Sequence, residues 1–389
     1  MKIIHCVESY YPAVGGMQEV VKQLSERMAK LGHDVTVMTR FHPQREKKVI
    51  NGVKIEAFSI EGNPKEISTS EEQRYVDSLL QSTADVIVFF AAQQWATDLP
   101  LPYLKEIKAR KVSVPTGYSG LYWPEFKSYF EKMKSYIHGY DMNVYLSDDY
   151  RDINFARENG VTKTCLIPNG AAADEFLPDS EIDIRKKLGI PHDHFLLLHV
   201  GSYTGWKGHR ETIEIFLKAK TGKATLLMIG NNHEHFNRQY IKHPSLAWLK
   251  FSRTLFGNKK IIFTYLSRPD TVAAYKQANL FLFPSNIECS PIVLFECAAA
   301  KLPFLSTDVG NSLEIARWTG GGAILPTQKD ANGFSYARIE ESVKLLNQLV
   351  ADNSKRKEMA AKAFENWEKK YSWEKITDNY LDMYKALLK

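Results

Sequence analysis

The chain has 389 residues, 44% of them hydrophobic and 25% charged, with a formal net charge of +6. That composition excludes disorder, collagen and coiled coil, and the length provides for two or three domains of ordinary size. So small a net charge over this length does not indicate nucleic acid as a partner; it suits an anionic substrate or contact with an anionic membrane surface.

The first apolar run, residues 3–7, gives way at once to Glu8-Ser9-Tyr10. It is too short for a secretory signal, and no window reaches the ~18 apolar residues of a membrane-spanning helix. A soluble or peripheral cytoplasmic protein is expected. Cys6, Cys165, Cys289 and Cys297 are widely spaced with no CxxC pair. They read as buried thiols in a reducing compartment, not as a zinc site or disulfide framework.

Short apolar runs rich in β-branched residues alternate with helix-length segments, the signal of an α/β protein with parallel sheets. Strands are predicted at 3–7, 35–38, 85–90, 112–114, 143–146 and 165–167. After the first comes a Gly15-Gly16 turn, then Val20, Val21, Leu24, Met28 and Leu31 at helical spacing, with Gly32 as the stop. This first Rossmann-like domain spans 1–177. Residues 178–194 are polar, contain Pro178 and Pro191, and read as a linker. A second series of strands follows at 195–200, 224–229, 260–265, 280–283, 304–307 and 323–325, giving a second Rossmann-like domain over 195–370. Everything after Ala337 has a helical pattern, ending in a helix over 371–389. Two α/β domains bracketing a cleft are the expected architecture.

Two stretches carry chemistry. Between residues 283 and 314 a strand ends at Pro284-Ser285, a loop carries Glu288, and a helix starting near Pro291 carries Glu296, with seven residues between the two acids. Both acids can face one ligand above the strand ends, where open α/β sheets bind, and the amides from Ile292 onward suit a phosphate. Taken alone, the pair reads better as acids capping a helix. The second stretch, Gly201-Ser202-Tyr203-Thr204-Gly205-Trp206-Lys207-Gly208, lies between a strand and a helix. It offers backbone donors and one cation to a diphosphate. It is not a GxxxxGK[ST] loop, which disfavours triphosphate hydrolysis. Asp148-Asp149 is no Asp-x-Asp clamp and reads as a helix cap, so no metal is expected. His233, His235 and His243 lack supporting acids and read as surface residues.

With these in place, the chain resembles family 4 of the retaining glycosyltransferases, enzymes of the GT-B fold. The matching pieces, in the family's order, begin with 11–16 after the first strand and Ile167-Pro168-Asn169-Gly170 with Phe176. The Gly201 to Gly208 loop, the Glu288 to Glu296 segment, Thr307-Asp308-Val309-Gly310 with Glu314, and Ser372-Trp373-Glu374 follow. The resemblance implies that the last helix crosses back onto the first domain. It implies a nucleotide-sugar donor, UDP-glucose or another UDP-hexose, with no cofactor, and a saccharide or lipid-linked saccharide acceptor in surface polysaccharide synthesis. Glu296 would hold the ribose hydroxyls, Lys207 would neutralise the leaving diphosphate with Gly201 and Ser202 beside it, and the backbone of Leu266 would meet the base. Glu288 would contact the sugar, together with Ser290 and the amides near Ile292 and Val293. Gly15 and Gly16 would let the backbone approach the diphosphate.

Three positions depart from the family's pattern. Ser202 stands where Arg is usual, and Pro291 where Gly is. The stretch from Ser113 to Gly120 lacks the customary His, leaving Thr116 or Tyr118 to act on the acceptor side. The retention the resemblance implies would come from front-face attack, the leaving phosphate accepting the incoming hydroxyl's proton; no carboxylate pair for a covalent intermediate is evident. A nucleotide-sugar epimerase or hydrolase, or a non-catalytic nucleotide-sugar-binding subunit, remains the competing reading. An aromatic stripe from Tyr122 to Ile137, interleaved with Lys127, Lys132 and Lys134, fits an acceptor- or membrane-facing helix less well than a helix packed on the core. A second apolar cluster, Trp248 to Phe256 with Arg253, Lys259 and Lys260, fits either a membrane contact or a packed insertion.

Overall fold

The computed structural model describes residues 1–64, 66–231 and 258–389, and the chain divides into two compact units, residues 1–169 with 373–389 and residues 170–372. The histidines His233, His235 and His243 and the cluster from Trp248 to Phe256 lie outside the described residues. In the first unit eight strands share one sheet: β1 (Lys2–Cys6), β2 (Asp34–Arg40), β3 (Val49–Ile50), β4 (Val53–Phe58), β5 (Val86–Phe90), β6 (Arg110–Val114), β7 (Met142–Tyr145) and β8 (Thr164–Leu166). Their order is β3-β4-β2-β1-β5-β6-β7-β8, parallel throughout except for the β3–β4 pair.

The second unit holds β9 (Phe195–Val200), β10 (Ala224–Ile229), β11 (Lys259–Thr264), β12 (Leu280–Phe283), β13 (Phe304–Ser306) and β14 (Gly322–Ile324) in a parallel sheet of order β11-β10-β9-β12-β13-β14. A small antiparallel pair, β15 (Thr327–Lys329) and β16 (Ser335–Ala337), stands apart. Every residue of β5, β10 and β12 is buried, as strands covered by helices on both faces require.

Each large sheet reverses direction once. From β1 the chain steps to β2 on one side and β5 lies on the other; from β9 it steps to β10 while β12 lies opposite. The carboxyl ends at such a reversal leave a crevice where no connection crosses, the usual ligand position in open α/β sheets. The final helix, Trp373–Leu387, belongs to the first unit. It buries Trp373, Tyr380 and Tyr384 and pairs Glu374 with Arg27 at 2.9 Å.

Several expectations are corrected. Residues 178–194 do not form a linker: they are part of the second unit and contain the helix Ile184–Leu188. Asp183 caps that helix, Ile184 and Ile190 enter the core, and Lys187 pairs with Asp270 at 2.7 Å. Asp148 and Asp149 are not caps. Tyr150 takes the N-cap position of the helix Arg151–Glu158 with no side-chain cap bond; Asp148 accepts from Arg157 and Asp149 from Asn154. The aromatic stripe follows the packing alternative. Tyr129, Phe130 and Met133 of the helix Lys127–Tyr136 lie in the first unit's core. Among the described residues no helix is long and apolar enough to cross a membrane.

Candidate active site

In the second unit, the loops after β9 and β12 flank the reversal, and they are the two loops singled out by sequence. They are tied to each other. The amide of Asn286 donates to the carbonyl of Trp206 at 2.9 Å. Gly208 closes the first loop with φ +65 and a Cβ there would stand 1.8 Å from the Pro284 carbonyl oxygen, so only glycine lets the two loops lie this close. Gly310 does the same against the Cys289 carbonyl, with φ +54 and 2.3 Å. The Glu288 loop is thereby clamped from both sides.

That clamping brings Lys207 and Glu288 together: Lys207 Nζ donates to Glu288 Oε1 at 2.6 Å, and Ser285 Oγ donates to the same oxygen at 2.8 Å. The cation expected to stand alone therefore has an acidic companion. Gly201 lies directly beneath, where a Cβ would meet the Lys207 stem and His199 Nε2. His199 and His209 pack with ring centroids 4.7 Å apart under the loop. Burial holds His199 down at about 4 and His209 down at about 2, with Lys207 adding to both, so both rings are neutral. A neutral floor leaves the charge of the loop to Lys207.

Pro291 precedes the helix Ile292–Ala299, and no side chain caps it. The amides of Ile292 and Val293 are thus at an N-terminus with its partial positive charge, and Ser290 lies buried just before them. Glu296 sits in the second turn, 4% exposed. Its charge is met by a residue that sequence reasoning missed: Arg268 Nη1 lies 2.6 Å from Glu296 Oε1. Leu266 ends the segment after β11, half-buried against the core, two residues before Arg268. Ser202 lies partly exposed in the Gly201 to Gly208 loop.

In the first unit, Gly15 is the N-cap of the helix Gly16–Lys30, with extended φ of 179 and no side-chain cap. Here the expected turn is an extended entry into a helix whose amides start at Gly16. Beyond β6, Thr116, Gly117 and Tyr118 all have positive φ (59, 106 and 46). Such values are rare for a β-branched residue, and strain of this kind collects at functional sites. Asp152 holds the bend by accepting from the Gly117 amide at 2.9 Å. The expectation for Tyr118 is corrected: 2% exposed, with its ring edge-on to Phe130 and Phe155, it is a core residue. Thr116 stays half-buried at the strand end. Gln93, also at positive φ, accepts from the Gly120 amide and adds a polar group that the sequence did not single out.

Comparison with known proteins places these features. The family described as Glycosyl transferases group 1 matches residues 180–366, and Glycosyltransferase Family 4 matches residues 14–175. An uncharacterized glycosyltransferase of Methanocaldococcus jannaschii is 24% identical over 100% of this chain and 99% of its own. The lipopolysaccharide glucosyltransferase WaaG of Escherichia coli is 24% identical over 88% of each. The crystal structure of Anabaena HepE in complex with UDP and glucose superposes with a TM-score of 0.74 at 16% identity, covering 99% of this chain and 100% of HepE. That likeness is one of fold, and the fold is GT-B.

Proposed function

This chain belongs to the group 1 glycosyltransferases, and we propose that the sugar it transfers is a hexose carried by UDP, UDP-glucose first among the candidates. The proposed acceptor is a saccharide or lipid-linked saccharide of a surface polysaccharide. The names of WaaG and of HepE with UDP and glucose support that choice. The observation that carries the reading is the Lys207–Glu288 pair, fixed at the sheet reversal beside the helix that presents Ile292, Val293 and Glu296.

In this reading the diphosphate takes the amides of Ile292 and Val293 and the charge of Lys207. Glu296 accepts from the ribose hydroxyls, and the Leu266 backbone meets the base. Gly201, Ser202 and Ser290 line the phosphate end. Glu288 stands toward the sugar, its carboxylate already oriented by Ser285 and Lys207. As the anomeric carbon–oxygen bond breaks, the electron pair goes to the diphosphate. The incoming hydroxyl attacks from the same face and gives its proton to the departing phosphate oxygen, which preserves configuration. Lys207 and the helix amides stabilise the charge that develops there, so turnover is expected to need no metal.

Labelled UDP-sugars offered with and without EDTA test this, with the anomeric configuration of the product read by NMR. A retained-configuration glycoside formed in EDTA supports the reading. Loss of turnover restored by magnesium or manganese rejects metal independence, and an inverted product rejects front-face attack. At the donor, Glu296→Ala removes charge-assisted bonds worth ~1.5–3 kcal/mol each and should weaken UDP binding by at least about tenfold in calorimetry. Unchanged affinity would remove Glu296 from the site.

A further inference from the structure

Arg268 is held from three sides within the second unit. Ser267 caps the helix Arg268–Gln277, accepting from the Asp270 amide, so Arg268 is its first residue. One guanidinium nitrogen lies 2.6 Å from Glu296 Oε1. On the opposite side Nε and Nη2 donate to Glu175 Oε2 at 3.0 and 2.5 Å. The guanidinium carbon stands 5.7 Å over the Phe176 ring. Glu175 and Phe176 come from the short helix Ala173–Phe176, far from Arg268 in sequence.

This arrangement has a physical purpose at Glu296. A nearly buried carboxylate needs a counter-charge, and an unpaired one would shed its charge or turn away. Lysine would supply charge but not direction. The planar guanidinium, fixed by a second carboxylate and an aromatic face, supplies both. Glu296 is thereby held in one orientation, the property an acceptor of a vicinal diol must have.

We propose that Arg268, anchored by Glu175, is a positioning residue that sets the Glu296 carboxylate for the ribose of a nucleoside diphosphate, so that the preference for ribose over 2′-deoxyribose depends on Arg268. The proposal rests on the reading of Glu296 as the ribose acceptor.

The test is calorimetry of UDP against 2′-deoxy-UDP, with the GDP and ADP pairs alongside to cover the base, on the full chain and its variants. Wild type should prefer the ribonucleotide by about tenfold, the scale of one hydrogen bond to a charged group. Arg268→Ala and Glu296→Gln should each bring that ratio to within about twofold, whereas Arg268→Lys should retain part of it. Glu175→Gln, which leaves Arg268 in place but loosens it, should lower the ratio as well, and it decides the matter if Arg268→Ala does not fold. Equal weakening of both nucleotides in Arg268→Ala, or an unchanged ratio in Glu175→Gln where Arg268→Ala is unfolded, makes Arg268 merely structural and overturns the proposal. If the ratio survives in Arg268→Ala but vanishes in Glu296→Gln, only the role of Arg268 falls. If wild type shows no preference, or Glu296→Gln keeps it, the ribose reading fails and takes the proposal with it.

Discussion

Lys207 and Arg268 divide the positive charge of the donor loops in a way the sequence shows only in part. Lys207 was legible because it sits in a glycine-rich turn, where a cation has few structural duties. Arg268 follows an N-cap serine, a place where a basic residue is ordinarily a solvated surface charge; the burial of Glu296 is what demands it, and burial is a property of the folded chain. Tyr118 is the converse: its position after a strand suggested reactivity, yet three successive positive-φ residues turn its ring into the core. The salt bridge from Lys207 to Glu288 sharpens the consequence of having Ser202 where a second cation would stand. With Ser202 uncharged, Lys207 is the side-chain cation that the Gly201 to Gly208 loop offers a departing diphosphate. Lys207→Met, which keeps most of the stem, should therefore lower kcat by about 10²–10³, the scale of one preorganised electrostatic contact. Ser202→Arg should restore part of that loss. Near wild-type turnover in Lys207→Met, read in the labelled-donor assay, would mean that the residue only packs the loop.

At the level of elements, legibility follows burial. β9, β10 and β12 fall on the residues the pattern predicts, because they lie inside a parallel sheet and read as unbroken apolar runs. β4 escaped because Lys54 and Glu56 interrupt its run, Lys54 reaching out to Asp34 at 2.8 Å. β15 (Thr327-Gln328-Lys329) and β16 (Ser335-Tyr336-Ala337) carry no apolar run, and the helix Ile184–Leu188 has five residues, too few for periodicity to register. The loops that carry the site were found through their glycines, and what those glycines do is now specific. Gly208→Ala meets both the positive φ and the Pro284 carbonyl, whereas Gly222→Ala meets the positive φ of 64 with no atom within 4 Å. The left-handed conformation alone costs about 1–2 kcal/mol. Gly208→Ala should thus lower the melting temperature well beyond Gly222→Ala, and it alone should also lose UDP binding, since the Glu288 loop must move. Equal melting temperatures in the two variants would show that the loops can part without cost.

Over the whole molecule, buried histidines set the response to acid. His5 in the first unit and His199 and His209 in the second are almost wholly buried. Burial is the main cause of their lowered values, about 3, about 4 and about 2 against an ordinary 6.5, with each second-unit ring further depressed by Lys207 and His209 by its neighbour His199. Below pH 6.5 the unfolded chain takes up protons at these rings while the folded chain refuses them. The unfolded state then binds more protons, and stability falls as pH falls. Asp152 acts in the opposite sense: burial pushes its carboxyl up from 3.8 to about 6, so in that interval the folded chain takes the proton first and gains stability on acidification. Glu26, also raised by burial, acts as Asp152 does, and His33, lowered by burial, joins the other histidines; four groups oppose two, and the net slope is toward unfolding. The carboxylates held low by partners, such as Glu71 beside Arg74 and Asp270 beside Lys187, add their loss only at lower pH, where they begin to protonate. The melting temperature should accordingly drop steadily from pH 6.5 to 4.5. His209→Phe should flatten the drop, because it keeps the stack on Tyr203, now with ring centroids 4.3 Å apart, and removes one titrating ring. A melting temperature constant across that window in the wild-type chain would mean that these rings titrate in the folded state as freely as in the unfolded one.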